Sequence, residues 1–124
     1  MKFPNWVTPL FYAAALYDGI LGIAGISMPV RIYALFGAVL PNHMAYVHFP
    51  ALLLILVSLM FYNIAKDPIA NKNLILYGIL AKISYCVVVF GYLLFGSIPA
   101  MWVPFAFLDL PFIALFILAD RAVK

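Results

Sequence analysis

Charge is scarce in this sequence. Only 9 % of its 124 residues are Asp, Glu, Lys or Arg, against about 25 % in an average soluble domain. A chain so poor in charge cannot cover a water-facing surface. Cysteine is nearly absent too: the single Cys86 excludes an intrachain disulfide and a Cys-rich metal site. There is no basic patch. The net charge of +3 comes from cations scattered singly at the ends of apolar runs, where they anchor helices at a membrane interface rather than bind nucleic acid. No phosphate loop, HExxH, CxxC or hydrolase elbow occurs. No small-residue cleavage site follows the first apolar run, which Asp18 interrupts, so that run reads as an uncleaved helix.

What the sequence has in abundance is apolar length. Hydrophobic residues make up 69 % of the chain, in runs close to the ~20 residues that cross a ~30 Å hydrocarbon layer. The spacing predicts a single all-α membrane domain over residues 1–124: a four-helix bundle with a short interfacial helix between helices 1 and 2. The spans fall at about residues 9–28, 43–65, 74–96 and 99–119. Thr8-Pro9 reads as N-cap and N1 of the first span, and Asn73 as N-cap of the third. Pro29 ends the first span. Arg31, Ile32, Tyr33, Leu35 and Phe36 suggest the interfacial helix, closed by Gly37. Ser97-Ile98-Pro99 is a tight turn joining spans three and four as a hairpin. Pro50 sits near the outer end of the second span, and Pro104 and Pro111 inside the fourth predict a kink. Trp6 stands outside the first span as an interfacial anchor.

Orientation follows from the cations. Lys2, Lys66, Lys72, Arg121 and Lys124 fall on one side and Arg31 on the other, so both termini are expected in the cytoplasm. A bacterial-type inner or plasma membrane is the expected location.

Three ionisable residues lie deep in these spans. By helical rise Asp18 is roughly 15 Å and Lys82 roughly 12 Å from the cytoplasmic end, and Asp109 about 15 Å from the outer end. A charge at such depth costs roughly 2.5–3.5 kcal/mol on insertion scales and persists where the protein answers it. Asp18 shares its face with Ala15, Gly22 and Gly25, a small-residue stripe that admits a close neighbour. Gly78, Lys82, Tyr85 and Val89 share another face; Trp102, Ala106 and Phe116 flank Asp109. The second span offers only Ser58 and Tyr62 and is expected to be the most lipid-facing. Spans one, three and four thus converge on a site built from Asp18, Lys82 and Asp109, with Tyr17, Ser84 and Tyr85 nearby.

Two carboxylates beside one ammonium exceed what the lysine needs and point to a shared or displaced proton or a bound ligand. Three functions remain open. One is a binding protein for a proton or a small amphipathic or lipophilic ligand. A second is an enzyme on a lipophilic substrate, with Asp18 or Asp109 as acid–base and Lys82 as electrostatic partner. The third is a subunit of a homo-oligomer or larger membrane complex, with the charges as glue. His43 and His48, five residues apart, point to different faces and read as interfacial residues rather than metal ligands. Cys86 reads as a small buried hydrophobe. No cofactor is assigned.

With those spans placed, the chain resembles the small four-helix membrane proteins called DoxX-like. The resemblance rests on the whole architecture and on the segments LYDGILG around Asp18, YGILAKISY around Lys82 and FAFLDLPF around Asp109. Members of that set associated with quinone or thiol redox systems imply a lipophilic ligand near Asp18, Lys82 and Asp109. Asp18 stands in the region where an arginine is expected in the core family. A more distant similarity, to the sterol-isomerase-like four-helix fold, rests only on acidic residues in a small bundle.

Overall fold

The computed structural model describes residues 3–124 and is all-helical. Its helices are α1 (Val7–Ser27), α2 (Pro29–Leu35), α3 (Ala45–Lys66), α4 (Lys72–Phe95) and α5 (Val103–Val123), the last preceded by a 3-10 turn at Ala100–Trp102. Four segments, α1, α3, α4 and the 3-10 turn with α5, are long and apolar enough to cross a membrane. Their outward surface is aliphatic and aromatic, with Leu16, Ile23, Val87 and Phe95 among its exposed residues. A surface of that kind belongs in hydrocarbon. Lys2, one of the cations used for orientation, lies outside the described residues.

Helix ends differ in detail from the sequence reading. Trp6, not Thr8, is the N-cap of α1, and Asn71, not Asn73, is that of α4; neither makes a side-chain cap. Asn71 instead donates its side-chain amide to the carbonyls of Asn63 and Asp67, while Asp67 Oδ1 accepts from the Ala70 backbone, closing the polar turn. Pro104 falls in the first turn of α5, where a missing N–H costs nothing, leaving Pro111 as the one interior proline of that helix. At the N-terminal end of α3, His43 Nδ1 accepts a hydrogen bond from the Ala45 backbone N–H at 3.0 Å.

Gly37 does end α2. Its φ of +64° is the left-handed conformation that lets the next two N–H groups turn back. Gly37 N–H donates to Ala34 and Ala38 N–H to Tyr33, the 5→2 and 6→1 bonds of a Schellman cap.

The bundle is two helix pairs set side by side: α1 with α3, and α4 with α5, with far less close approach between the pairs. The second span, expected to be the most lipid-facing, does leave most of its surface outward, as α5 does, yet it is also the main packing partner of α1. The small-residue stripe of α1 faces α3, the tightest packing partner in the molecule. A Cβ on Gly22 would stand 2.7 Å from Ile55 Cγ1 and 2.8 Å from the Ala51 carbonyl oxygen. Ser58 Oγ donates to the Ala15 carbonyl at 2.6 Å. Lipid is as apolar as leucine, so close packing and such hydrogen bonds hold helices together there.

The two ends of the bundle are unlike. At the end bearing Val7, Lys66, Lys72 and Val123 the core is solid: Phe11, Phe61 and Phe116 pack ring on ring, with Ile64, Ile75 and Ala119 filled in around them. At the other end the pairs part, and α2 with the 3-10 turn lies across the gap, packing Tyr33, Val47 and Met101 together.

Candidate functional site

Asp18, Lys82 and Asp109 meet where the solid half gives way to the open half. Lys82 Nζ donates to Asp18 Oδ1 at 2.9 Å and to Asp109 Oδ1 at 3.0 Å. Their side chains are only 6 %, 3 % and 6 % exposed for Lys82, Asp18 and Asp109. The Asp109 bond ties α5 to α4 within one pair; the Asp18 bond ties α1 to α4 across the pairs. Each pairs an ammonium with a carboxyl group, the chemistry of a charge-assisted hydrogen bond.

On its remaining side the ammonium faces aromatic rings. The centroids of Tyr17, Phe112 and Phe61 lie 4.9, 5.3 and 5.9 Å from Nζ, within reach of a cation–π attraction. The lysine is thus enclosed by two carboxylates and three ring faces. Each aspartate, by contrast, has engaged only one of its two oxygens with it.

Asp18, Lys82 and Asp109 form the floor of a cavity of about 380 Å³ between the helix pairs. Its walls are apolar and aromatic: Tyr17, Leu21 and Ala24 from α1, Val57 and Leu54 from α3, Tyr85 from α4, Trp102 from the 3-10 turn and Phe105 from α5. Pro29, Ile32 and Tyr33 of α2 also line it. This is the composition of small-molecule pockets, mostly hydrophobic with a few convergent polar groups, and the volume lies in their usual range.

The structure therefore brings together five of the six residues singled out from sequence. Tyr17 and Tyr85 line the cavity with the three charged residues. The Tyr17 hydroxyl is buried with no hydrogen-bond partner, whereas that of Tyr85 donates to the Trp102 carbonyl at 2.8 Å, fixing the wall. Ser84 is the exception. It is exposed and donates to the Leu80 carbonyl of its own helix. Two residues along a helix is about 200° of turn, so Ser84 and Lys82 cannot share a face. Cys86 is buried, its Sγ 3.5 Å from the Ala106 carbonyl oxygen. His43 and His48 are both exposed, near the start of α3.

The contribution of α2 and of the N-terminal half of α3 to the cavity was not anticipated. Tyr33, Tyr46, Val47 and Pro50 all line it. The sequence signal was the aromatic and proline content of residues 29–50, which also fits interfacial anchoring. No family model, curated protein or solved structure matches this chain.

Proposed function

We propose that this is a small membrane binding protein whose 380 Å³ cavity takes a small amphipathic or lipophilic ligand, with its polar end at Asp18, Lys82 and Asp109. The observation carrying this reading is that the buried ion cluster floors a cavity. Charges serving only as helix glue are best walled in on all sides, because every face left open forfeits packing. Here the packing is complete on the Phe11, Phe61 and Phe116 side and withdrawn on the other. At about 30 Å³ per water-sized group, the cavity accommodates roughly a dozen heavy atoms. That suits a short-chain amphipath better than a whole phospholipid. A place among the DoxX-like proteins and cytoplasmic termini belong to the same reading: Lys66, Lys72 and Arg121 gather at the solid end, and Arg31 lies at the cavity end.

Trp102 supplies the test. It lines the cavity, and Trp6 is the only other tryptophan, so Trp6→Phe leaves a single reporter. In lipid discs, 1-decanol and decylamine are expected to change Trp102 emission saturably. Ala24→Leu, which fills part of the cavity, is expected to abolish the saturable component and leave only linear partitioning into the bilayer. A response that is linear in both proteins, or unchanged by Ala24→Leu, refutes the reading.

A further inference from the structure

The inventory of valences at the cavity floor says what kind of head group it would take. An ammonium has three N–H donors. Lys82 spends two on Asp18 and Asp109 and turns its remaining side to the rings of Tyr17, Phe112 and Phe61. Lys82 also lines the cavity, but with two donors spent and rings beside the third it has less to offer a ligand than the carboxylates do. The carboxylates are in the opposite condition. Each gives only Oδ1 to the lysine, so Oδ2 of each is left to accept from something else, and both residues line the cavity.

Charge points the same way. With both carboxyls ionised, two negative groups stand against one positive group at low dielectric, where an uncompensated charge is costly. Either a proton shared by the carboxyls or a ligand bringing one positive charge balances the cluster, and the ligand displaces that proton as it binds. A neutral alcohol offers a donor but no balance; a carboxylate adds a third negative charge. The walls are also suited to a cation, since Tyr17, Tyr85 and Trp102 present aromatic rings around the floor.

We infer that the cavity is selective for amphipaths with a cationic amine head, held between Asp18 and Asp109 with the apolar tail along the walls toward α2. The inference rests on the cavity being a ligand site, and its test separates the two claims.

The single-tryptophan protein in zwitterionic lipid discs is titrated with three probes of nearly equal length: decylamine, 1-decanol and decanoate. Decylamine is expected to half-saturate the Trp102 response at a concentration about tenfold or more below 1-decanol, the span of one charge-assisted hydrogen bond. Decanoate is expected to give no saturable response. Asp109→Asn keeps the shape and removes one negative charge, and is expected to erase the preference for amine over alcohol while binding of 1-decanol persists. That persistence also certifies that the variant is folded; should it bind neither probe, the wild-type series still decides. If 1-decanol binds as tightly as decylamine, or decanoate binds best, cation selectivity is overturned and the cavity stands as a ligand site of other chemistry. If none of the three gives a saturable response, the ligand site itself is overturned and the selectivity with it.

Discussion

Removing Lys82 should damage this protein far more than removing either aspartate it binds. In Lys82→Met the side-chain volume is kept and both charge-assisted hydrogen bonds, at 2.9 and 3.0 Å, are lost. Asp18 and Asp109 are then left facing each other's field with side chains 3 % and 6 % exposed, where water cannot screen them. Stripping the partner from a buried ion pair costs about 3–5 kcal/mol. Asp18→Asn and Asp109→Asn are different in kind. Each leaves one ammonium opposite one carboxylate, a balanced pair, and the new amide oxygen can still accept from Nζ. The loss is one hydrogen bond whose acceptor changes from a carboxylate to an amide oxygen while the donor stays charged, about 1 kcal/mol. The triple variant Lys82→Met with both aspartates changed to Asn removes every charge and should recover much of the loss, as replacement of a whole buried cluster often does.

The measurement is reversible unfolding in mixed detergent–SDS micelles, followed by helical circular dichroism, on the three single variants and the triple. The expected order of stability is wild type close to the Asp→Asn variants, the triple below or equal to them, and Lys82→Met lowest by several kcal/mol. Equal losses in all three single variants would mean that packing, not charge balance, sets the cost. A triple variant no better than Lys82→Met would refute the reasoning outright, because the stranded charge would then not be what destabilises the single variant.

Two further outcomes follow from other parts of the molecule. Gly22→Ala places a Cβ 2.8 Å from the Ala51 carbonyl oxygen, a backbone atom that cannot swing aside, and is expected to cost about 1–3 kcal/mol as overpacking does. Gly91→Ala meets nothing within 4 Å and should be neutral or stabilising by up to about 1 kcal/mol in the same unfolding assay; the reverse order would mean the pairing of α1 with α3 is misplaced. A fluorescent protein fused after Lys124 is expected to fluoresce and an alkaline phosphatase fused there to be inactive, as cytoplasmic termini require; an active phosphatase would invert the orientation.

The spans, the cap at Gly37 and the meeting of Asp18, Lys82 and Asp109 were all legible in the sequence, because each has a strong local cause. Apolar length, a residue free to take positive φ, and the cost of an isolated charge can be read one segment at a time. Which helix packs on which could not be read in the same way. On a soluble helix polarity marks the outward face, but in lipid Leu52 facing hydrocarbon and Ile55 facing Gly22 look alike. The small residues of α1 did announce a close neighbour, but carried no name for it, and α3, with only Ser58 and Tyr62 as its polar stripe, gave no sign of being that neighbour. Ser84 was a different error. Its place two residues after Lys82 puts it on the opposite face by helix geometry alone, whereas Tyr85 shares the face and Tyr17 reaches the ammonium by the length of its ring. The cavity itself has no linear signature, since it is the space left where two helix pairs diverge.

That divergence has a thermodynamic consequence. The cavity of about 380 Å³ is a partly open cleft rather than a sealed void, so its apolar walls forgo contacts that close packing would give them and leave that surface to be met from the membrane. The solid half makes the opening sustainable, because the ring stack of Phe11, Phe61 and Phe116 ties the two pairs together below the floor. The bond from Lys82 to Asp18 sets their spacing at the floor itself, and above it α2 and the 3-10 turn pack together across the gap. The same three side chains therefore bear on two things at once, the separation of the helix pairs and the polarity that a ligand would meet. A perturbation that changes their charge without changing their shape, such as Asp109→Asn, is the one that can tell those roles apart.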